Sequence, residues 1–296
     1  MESMTQARSL PKMAPRAWMD ATDVRIPERT LPLLRDLINA HTGMFYEGER
    51  VAMLRDRLAP LALERGFDSL LDYYYLLKYD DKAPEEWARV IDALSVQETY
   101  FWREADQLHA LADRIIPRLV SAGRQRIRIW SIPCSTGEEP LSIAMALEER
   151  GWFARVAIDI YASDASEAAL RKADSGRYGP RAFRQLSEAL REKYFTAAAG
   201  NTWTVNPWLK ARVTQWSRVN VVRAEDVAPL AAADVIFCRN LFIYFNETTI
   251  RLVAEQFADA MRTPGFLCVG AAESLLRVTP RFDLQDIGGA FVYVKS

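Results

Sequence analysis

Apolar residues recur three and four positions apart through the first third of the chain. Leu31, Leu34, Leu37 and Ile38 form one such stripe. Val51, Leu54, Leu58 and Leu61 form a second, which stops near Gly66, a residue suited to closing a helix. Residues 69–77 and 84–94 carry two shorter helical patterns. No strand-like alternation interrupts them, so residues 26–95 read as a small all-α domain. Ahead of it, Arg8, Pro11, Lys12, Pro15 and Arg16 break every periodicity, and residues 1–25 are expected to form a mobile tail.

Near residue 125 the period changes from helical to strand-like. RIRIWSI (126–132), VAIDIY (156–161), ADVIFC (233–238) and the runs 266–270 and 291–294 are short and β-rich. Helical stretches at 140–150, 166–173 and 248–261 lie between them. Strands alternating with helices predict βαβ units and a mostly parallel sheet over 125–296. A linker helix is expected over 96–124. Residues of about 176–218 interrupt the rhythm: 202–205 and 211–216 alternate like a small antiparallel hairpin, which predicts an inserted β-subdomain.

Composition narrows the class of protein. Half of the 296 residues are hydrophobic, and 38 basic against 39 acidic residues leave a net charge of -1. Such a chain can bury enough apolar surface to fold, and its balanced charge argues against broad nucleic-acid binding. Cys134, Cys238 and Cys268 are far apart and the histidines are His41 and His109, a poor set for a zinc site, so no metal is expected. The odd cysteine count suits a reducing cytoplasm. No apolar run approaches the ~20 residues of a membrane span, and no signal-peptide core opens the chain.

In a doubly wound sheet, ligands bind beyond the carboxyl ends of the strands. Three segments fall there. SIPCSTGEEP (131–140) follows the first strand; Gly137 permits a tight turn, and helix-start amides could hold a small carboxylate, although a plain strand-to-helix turn fits as well. Asp164 ends the second strand, where it could accept ribose hydroxyls or simply cap the next helix. Arg239 and Asn240 leave the fourth strand between apolar runs and need partners, either a ligand or a structural carboxylate. A fourth segment, SVQETYFWRE (95–104), joins the two domains; an aromatic run of this kind is more often core than site.

Together these segments resemble the chemotaxis-receptor (protein-glutamate) O-methyltransferase family of the CheR type. The likeness rests on SVQETYFWRE, RIWSIPCSTGEEPLSIAMALEE, YASDASEAALRKADSGRY, ADVIFCRNLFIYF and PGFLCVGAAESL, in that order, and covers roughly residues 26–296. It implies an α/β architecture: a Rossmann-like, mostly parallel methyltransferase domain with an inserted antiparallel β-subdomain, preceded by the all-α domain. It implies S-adenosyl-L-methionine as cofactor, with S-adenosyl-L-homocysteine as product. Carried over by matching motif, the cofactor-binding residues are Gln97, Thr99, Arg103, Glu138, Asp164, Asn220, Val221, Arg239 and Asn240, with Ser131, Ile132 and Pro133 lining the approach. Arg103 and Tyr244 take the places beside the transferred methyl. The family usually has Asn where Gln97 stands, and Pro133 and Cys134 replace small residues.

The resemblance implies a cytoplasmic enzyme that methylates glutamate side chains on the helical bundle of a chemoreceptor. No nucleic acid or membrane insertion is involved, and the state expected is a monomer. Arg50 and Arg57, seven apart, are expected one above the other on a helix and could dock that acidic bundle; a solvated helix flank is the alternative. The connection from Thr196 to Trp203 is shorter than in members that grip a receptor's C-terminal pentapeptide, which implies independence from it. A competing reading is a cofactor-binding signalling module without transfer activity. A nucleic-acid methyltransferase is disfavoured by RNLFIY where an NPPY-like motif would stand.

Overall fold

The computed structural model describes residues 20–295; of the expected N-terminal tail, residues 1–19 lie outside the described residues. The described residues divide into two compact units, one built from residues 20–40 and 46–94, the other from residues 41–45 and 95–295.

The first unit is all-α: α1 (Thr30–Thr42), α2 (Ala52–Glu64), α3 (Leu70–Tyr79) and α4 (Ala83–Leu94). Leu34, Ile38, Leu54, Leu58, Leu70, Tyr73 and Val90 are buried, so the periodic stripes are the packed faces. Gly66 closes α2 with φ +85°. Its N–H donates to Leu63 C=O (2.8 Å), and Phe67 N–H reaches back to Ala62 C=O (2.9 Å), which satisfies two end carbonyls. Buried Glu86 accepts from Tyr73 Oη (2.7 Å) and from Arg89 Nη1 (3.1 Å), and pairs with Arg65. Arg50 does not share a helix with Arg57. It lies in the 3₁₀ turn Gly48–Val51, over the Tyr46 ring at 5.8 Å, while exposed Arg57 is on α2.

The second unit is α/β. Its strands are β1 (Arg126–Ser131), β2 (Ala157–Asp164), β3 (Arg177–Tyr178), β4 (Phe195–Ala198), β5 (Thr202–Val205), β6 (Val213–Arg218), β7 (Val235–Cys238), β8 (Gly265–Val269), β9 (Asp283–Ile287) and β10 (Ala290–Lys295). The main sheet runs β6-β2-β1-β7-β8-β10-β9. From β6 to β8 it is parallel; β10 is antiparallel to both neighbours. The helices are α5 (Ala105–Ala110), α6 (Ile116–Ser121), α7 (Glu138–Glu149), α8 (Glu167–Ser175), α9 (Glu188–Tyr194), α10 (Pro207–Lys210), α11 (Ala224–Ala231) and α12 (Glu247–Ala260), with a π-helical turn, Leu111–Ile115, joining α5 to α6. Ile129, Ile160 and Phe237 on the strands are fully buried, the apolar content that a sheet covered on both faces requires, as is Leu141 on α7 against them.

Two expectations change. The hairpin of 202–205 with 211–216 does not form: β5 pairs with β3 and β4 in a separate three-stranded sheet, while β6 is the parallel edge strand beside β2. Alternation reports one exposed face, which an edge strand of either sheet would have, and carries no information about the partner. The linker helix begins only at Ala105; residues 95–104 are irregular and turn. Among the described residues, no helix is long and apolar enough to cross a membrane.

Candidate active site

The strand order reverses at β1, whose neighbours are β2 on one side and β7 on the other. A crevice opens at such a switch point beyond the carboxyl ends of the strands. The turn after β1 is shaped by two left-handed residues, Ser135 (φ +48°) and Gly137 (φ +98°). A Cβ at Gly137 would stand 3.0 Å from Tyr178 Oη and 3.1 Å from Trp216 Cη2, so backbone conformation and packing both require glycine. Asp164, at the end of β2, accepts from Ser135 N–H (2.8 Å) and Ser166 N–H (2.8 Å), tying that turn to the neighbouring strand while also capping the segment that follows.

The two glutamates opening α7 point to different work. Glu138 accepts from Thr136 Oγ1 (2.6 Å), and burial raises its carboxyl pKa above the ordinary range. Glu139 accepts from Ser131 Oγ (2.7 Å) and from Arg239 Nε (2.7 Å). Ser135 Oγ is buried with no hydrogen-bond partner in the protein. Ile132 is buried in the core beneath the turn, and Pro133 is half-buried.

The segment before α5 lies against the start of α7. Trp102 N–H donates to Ser142 Oγ (3.0 Å), which donates to Glu138 C=O (2.6 Å). Phe101 is core, against Tyr178 (4.8 Å), Phe195 (4.8 Å) and Phe183 (5.2 Å). Trp102 (φ +66°) and Glu104 (φ +52°) hold left-handed backbone on either side of Arg103. Each such non-glycine residue costs about 1–3 kcal/mol, and strain of this kind clusters where geometry is imposed for function. Arg103 donates from Nη1 to Glu98 C=O (2.9 Å), lies over the Tyr100 ring at 5.5 Å and keeps about a quarter of its side chain open, at 24% exposure. Gln97 is exposed and Thr99 half-buried.

Arg239 is a buried tie. Besides Glu139 it donates from Nη1 to Arg103 C=O (2.9 Å), with Glu104 Oε2 at 3.7 Å and 1% of its side chain exposed. The structural alternative raised for it, a satisfied carboxylate pair, is therefore realised. Asn240 adopts φ +59°. Its N–H donates to Glu273 Oε2 (2.8 Å), which also accepts from Gly270 N–H (2.6 Å), while Glu273 Oε1 accepts from Ile243 N–H (3.2 Å). A Cβ at Gly270 would come within 2.6 Å of Asn240 Nδ2. Burial raises the Glu273 carboxyl, with these N–H donors pulling the other way. Tyr244 is half-buried at the end of the 3₁₀ turn Phe242–Tyr244. After β6, Val221 is buried, and Asn220 spends its side-chain Nδ2 on His41 C=O (2.6 Å).

The loops after β1, β2, β7 and β8 and the segment before α5 thus join through Asp164, Glu139, Arg239 and Glu273. Glu139, Glu104 and Glu273 were not singled out from the sequence. A lone carboxylate has no spacing signature; the signal that could have found Glu273 is Gly270 three residues before it, and for Glu139 its place in the STGEEP turn.

Residues 97–288 match the sequence family described as CheR methyltransferase, SAM binding domain, and residues 29–95 match CheR methyltransferase, all-alpha domain. The chain is 34% identical over 264 residues to "Chemotaxis protein methyltransferase 2" of Vibrio cholerae serotype O1, spanning 88% of this chain and 91% of that protein. It is 29% identical over 268 residues to "Chemotaxis protein methyltransferase 1" of Pseudomonas aeruginosa, spanning 88% and 96%. It is 34% identical over 274 residues to "Probable biofilm formation methyltransferase WspC" of Pseudomonas putida, spanning 90% of this chain and 61% of that protein.

Proposed function

The chain belongs to the CheR methyltransferase family, and from that premise we propose that it esterifies glutamate side chains of chemoreceptors from the cytoplasm. It is an S-adenosylmethionine-dependent methyltransferase of chemosensory signalling. The observation that carries the finer reading is Arg103, a partly open guanidinium fixed between two left-handed residues above the tied strand ends.

The residues present fit the cofactor. Unpartnered Ser135 Oγ, the Asp164 carboxylate and the buried Glu138 carboxylate offer acceptors for hydroxyl and ammonium groups. When bound, S-adenosylmethionine supplies a sulfonium methyl. A glutamate carboxylate, with a reference pKa of about 4.3, is ionised at neutral pH, so the protein has no proton to remove. Opposite charges are lost as methyl passes from sulfur to oxygen, so a tight charge clamp would hold the ground state better than the transition state. Arg103 therefore orients and does not stabilise developing charge, which agrees with its being shared with Glu98 C=O and the Tyr100 ring. Tyr244 contributes alignment and excludes water beside the reacting methyl.

Docking is assigned to exposed Arg50 and Arg57 on the helical unit, against the acidic receptor bundle. The β4–β5 connection is a turn of three residues, Ala199, Gly200 and Asn201, and the protein works without a receptor pentapeptide. Calorimetry tests the cofactor step: S-adenosylhomocysteine should bind one to one, and Asp164→Ala should weaken it. Binding without transfer to any receptor from the same genome would favour the inactive signalling module instead.

A further inference from the structure

Residues 41–45 pack with the catalytic unit although the chain on both sides of them belongs to the helical one. Their course is set by the end of α1. Gly43 takes φ +78°, the left-handed conformation that stops a helix, and Met44 N–H turns back onto Thr42 Oγ1 (3.1 Å). The His41 carbonyl, in the last turn of the helix, accepts from Asn220 Nδ2 (2.6 Å) beyond β6. At the other end, Phe45 N–H donates to Tyr244 C=O (2.8 Å), and Met44 forms an antiparallel bridge with Phe245 beyond β7. Between these anchors there is no spare room. A Cβ on Gly43 would meet Val222 Cγ1 at 2.7 Å, Thr249 Cγ2 at 2.9 Å and Phe245 Cε1 at 3.1 Å.

We infer that residues 41–45 are a positioning strap of the cofactor cleft, fixing the loop of Asn220 and Val221 against the turn that carries Tyr244. The inference rests on the function proposed above. Five residues anchored at both ends set the spacing of two loops that leave non-adjacent strands, one expected on the adenine side and one beside the reacting methyl. Asn220 then acts through the strap: its Nδ2 holds His41, and its Oδ1 faces Val222 N–H at 3.4 Å. Val222 is the residue a Cβ on Gly43 would meet most closely, so the loop leaves the strap room for glycine there.

The test is calorimetric titration of S-adenosylhomocysteine into the full chain and its variants. Gly43→Ala pushes the strap off Val222, and Asn220→Asp replaces the donor with a carboxylate facing a carbonyl without adding bulk. Each should raise Kd about tenfold while binding stays one to one. The double variant should be no weaker than the worse single, because both break one element. Val222→Ala added to Gly43→Ala should recover part of the loss, since it removes the nearest clash. Additive losses would place Asn220 directly on the cofactor and overturn the strap. So would an unchanged Kd in Gly43→Ala, or a fall in stoichiometry alone, which marks a merely structural role. Failure of the wild-type chain to bind would overturn the functional reading, and the strap with it.

Discussion

At the scale of single residues, the cleft is built around side chains with opposing demands. Glu138 is held in a buried place that raises its carboxyl pKa. A raised pKa means that the ionised form costs stability. The cost is absent below the ordinary value of 4.5 and fully present once the pH exceeds the raised one. Glu138→Gln should therefore raise Tm at pH 7, with the advantage over the wild type vanishing below about pH 4.5, and should weaken S-adenosylhomocysteine binding. Thermal melts across pH check the first part and calorimetry the second; a lower Tm at pH 7 would contradict the burial argument. Arg103→Ala should reduce both cofactor affinity and kcat/KM by about tenfold or more, since alignment is lost. Unchanged values would return Arg103 to the surface. Tyr244→Phe should lower kcat modestly with cofactor Kd near that of the wild type.

At the scale of elements, what matters is how the segment before α5 is held to the ends of β1 and β7. Arg239 and Glu139 form its buried tie. Removing one partner leaves the other charge uncompensated, so Arg239→Ala or Glu139→Ala should cost about 3–5 kcal/mol in denaturant unfolding. Arg239→Met with Glu139→Leu should recover much of that stability without restoring cofactor binding, because Arg103 C=O loses its donor. Recovery of both would mean that the tie has no positioning role. Phe101→Ala should cost about 3–5 kcal/mol through the aromatic cavity it opens. The helices and parallel strands were legible because burial has a period: Leu34, Ile38, Leu54 and Leu58 repeat it on helices, and Val235 to Cys238 fill a strand buried on both faces. The membership of β6 was not legible, since its alternation suits either sheet. Nor were the left-handed turns at Trp102 and Glu104, which are imposed by tertiary contacts on residues that do not prefer them.

At the scale of the whole molecule, several residues carried over by motif are engaged with the protein itself. Arg239 and Asn220 spend side-chain donors on the protein's own carbonyls and carboxylates, connections that a motif does not reveal. The receptor contact belongs to this scale as well. Reversing charge at Arg50 and Arg57 together should raise KM for receptor several-fold and leave S-adenosylhomocysteine affinity unchanged, because an acidic helical surface would meet like charge. An unaltered KM would remove these arginines from docking. The most direct test of the whole account is incubation with methyl-tritiated S-adenosylmethionine and membranes carrying receptors from the same genome, followed by mild base. The account predicts label in the receptor band that base releases as volatile methanol, the mark of a carboxyl ester. Label that survives base, or a receptor band that stays unlabelled, would contradict it.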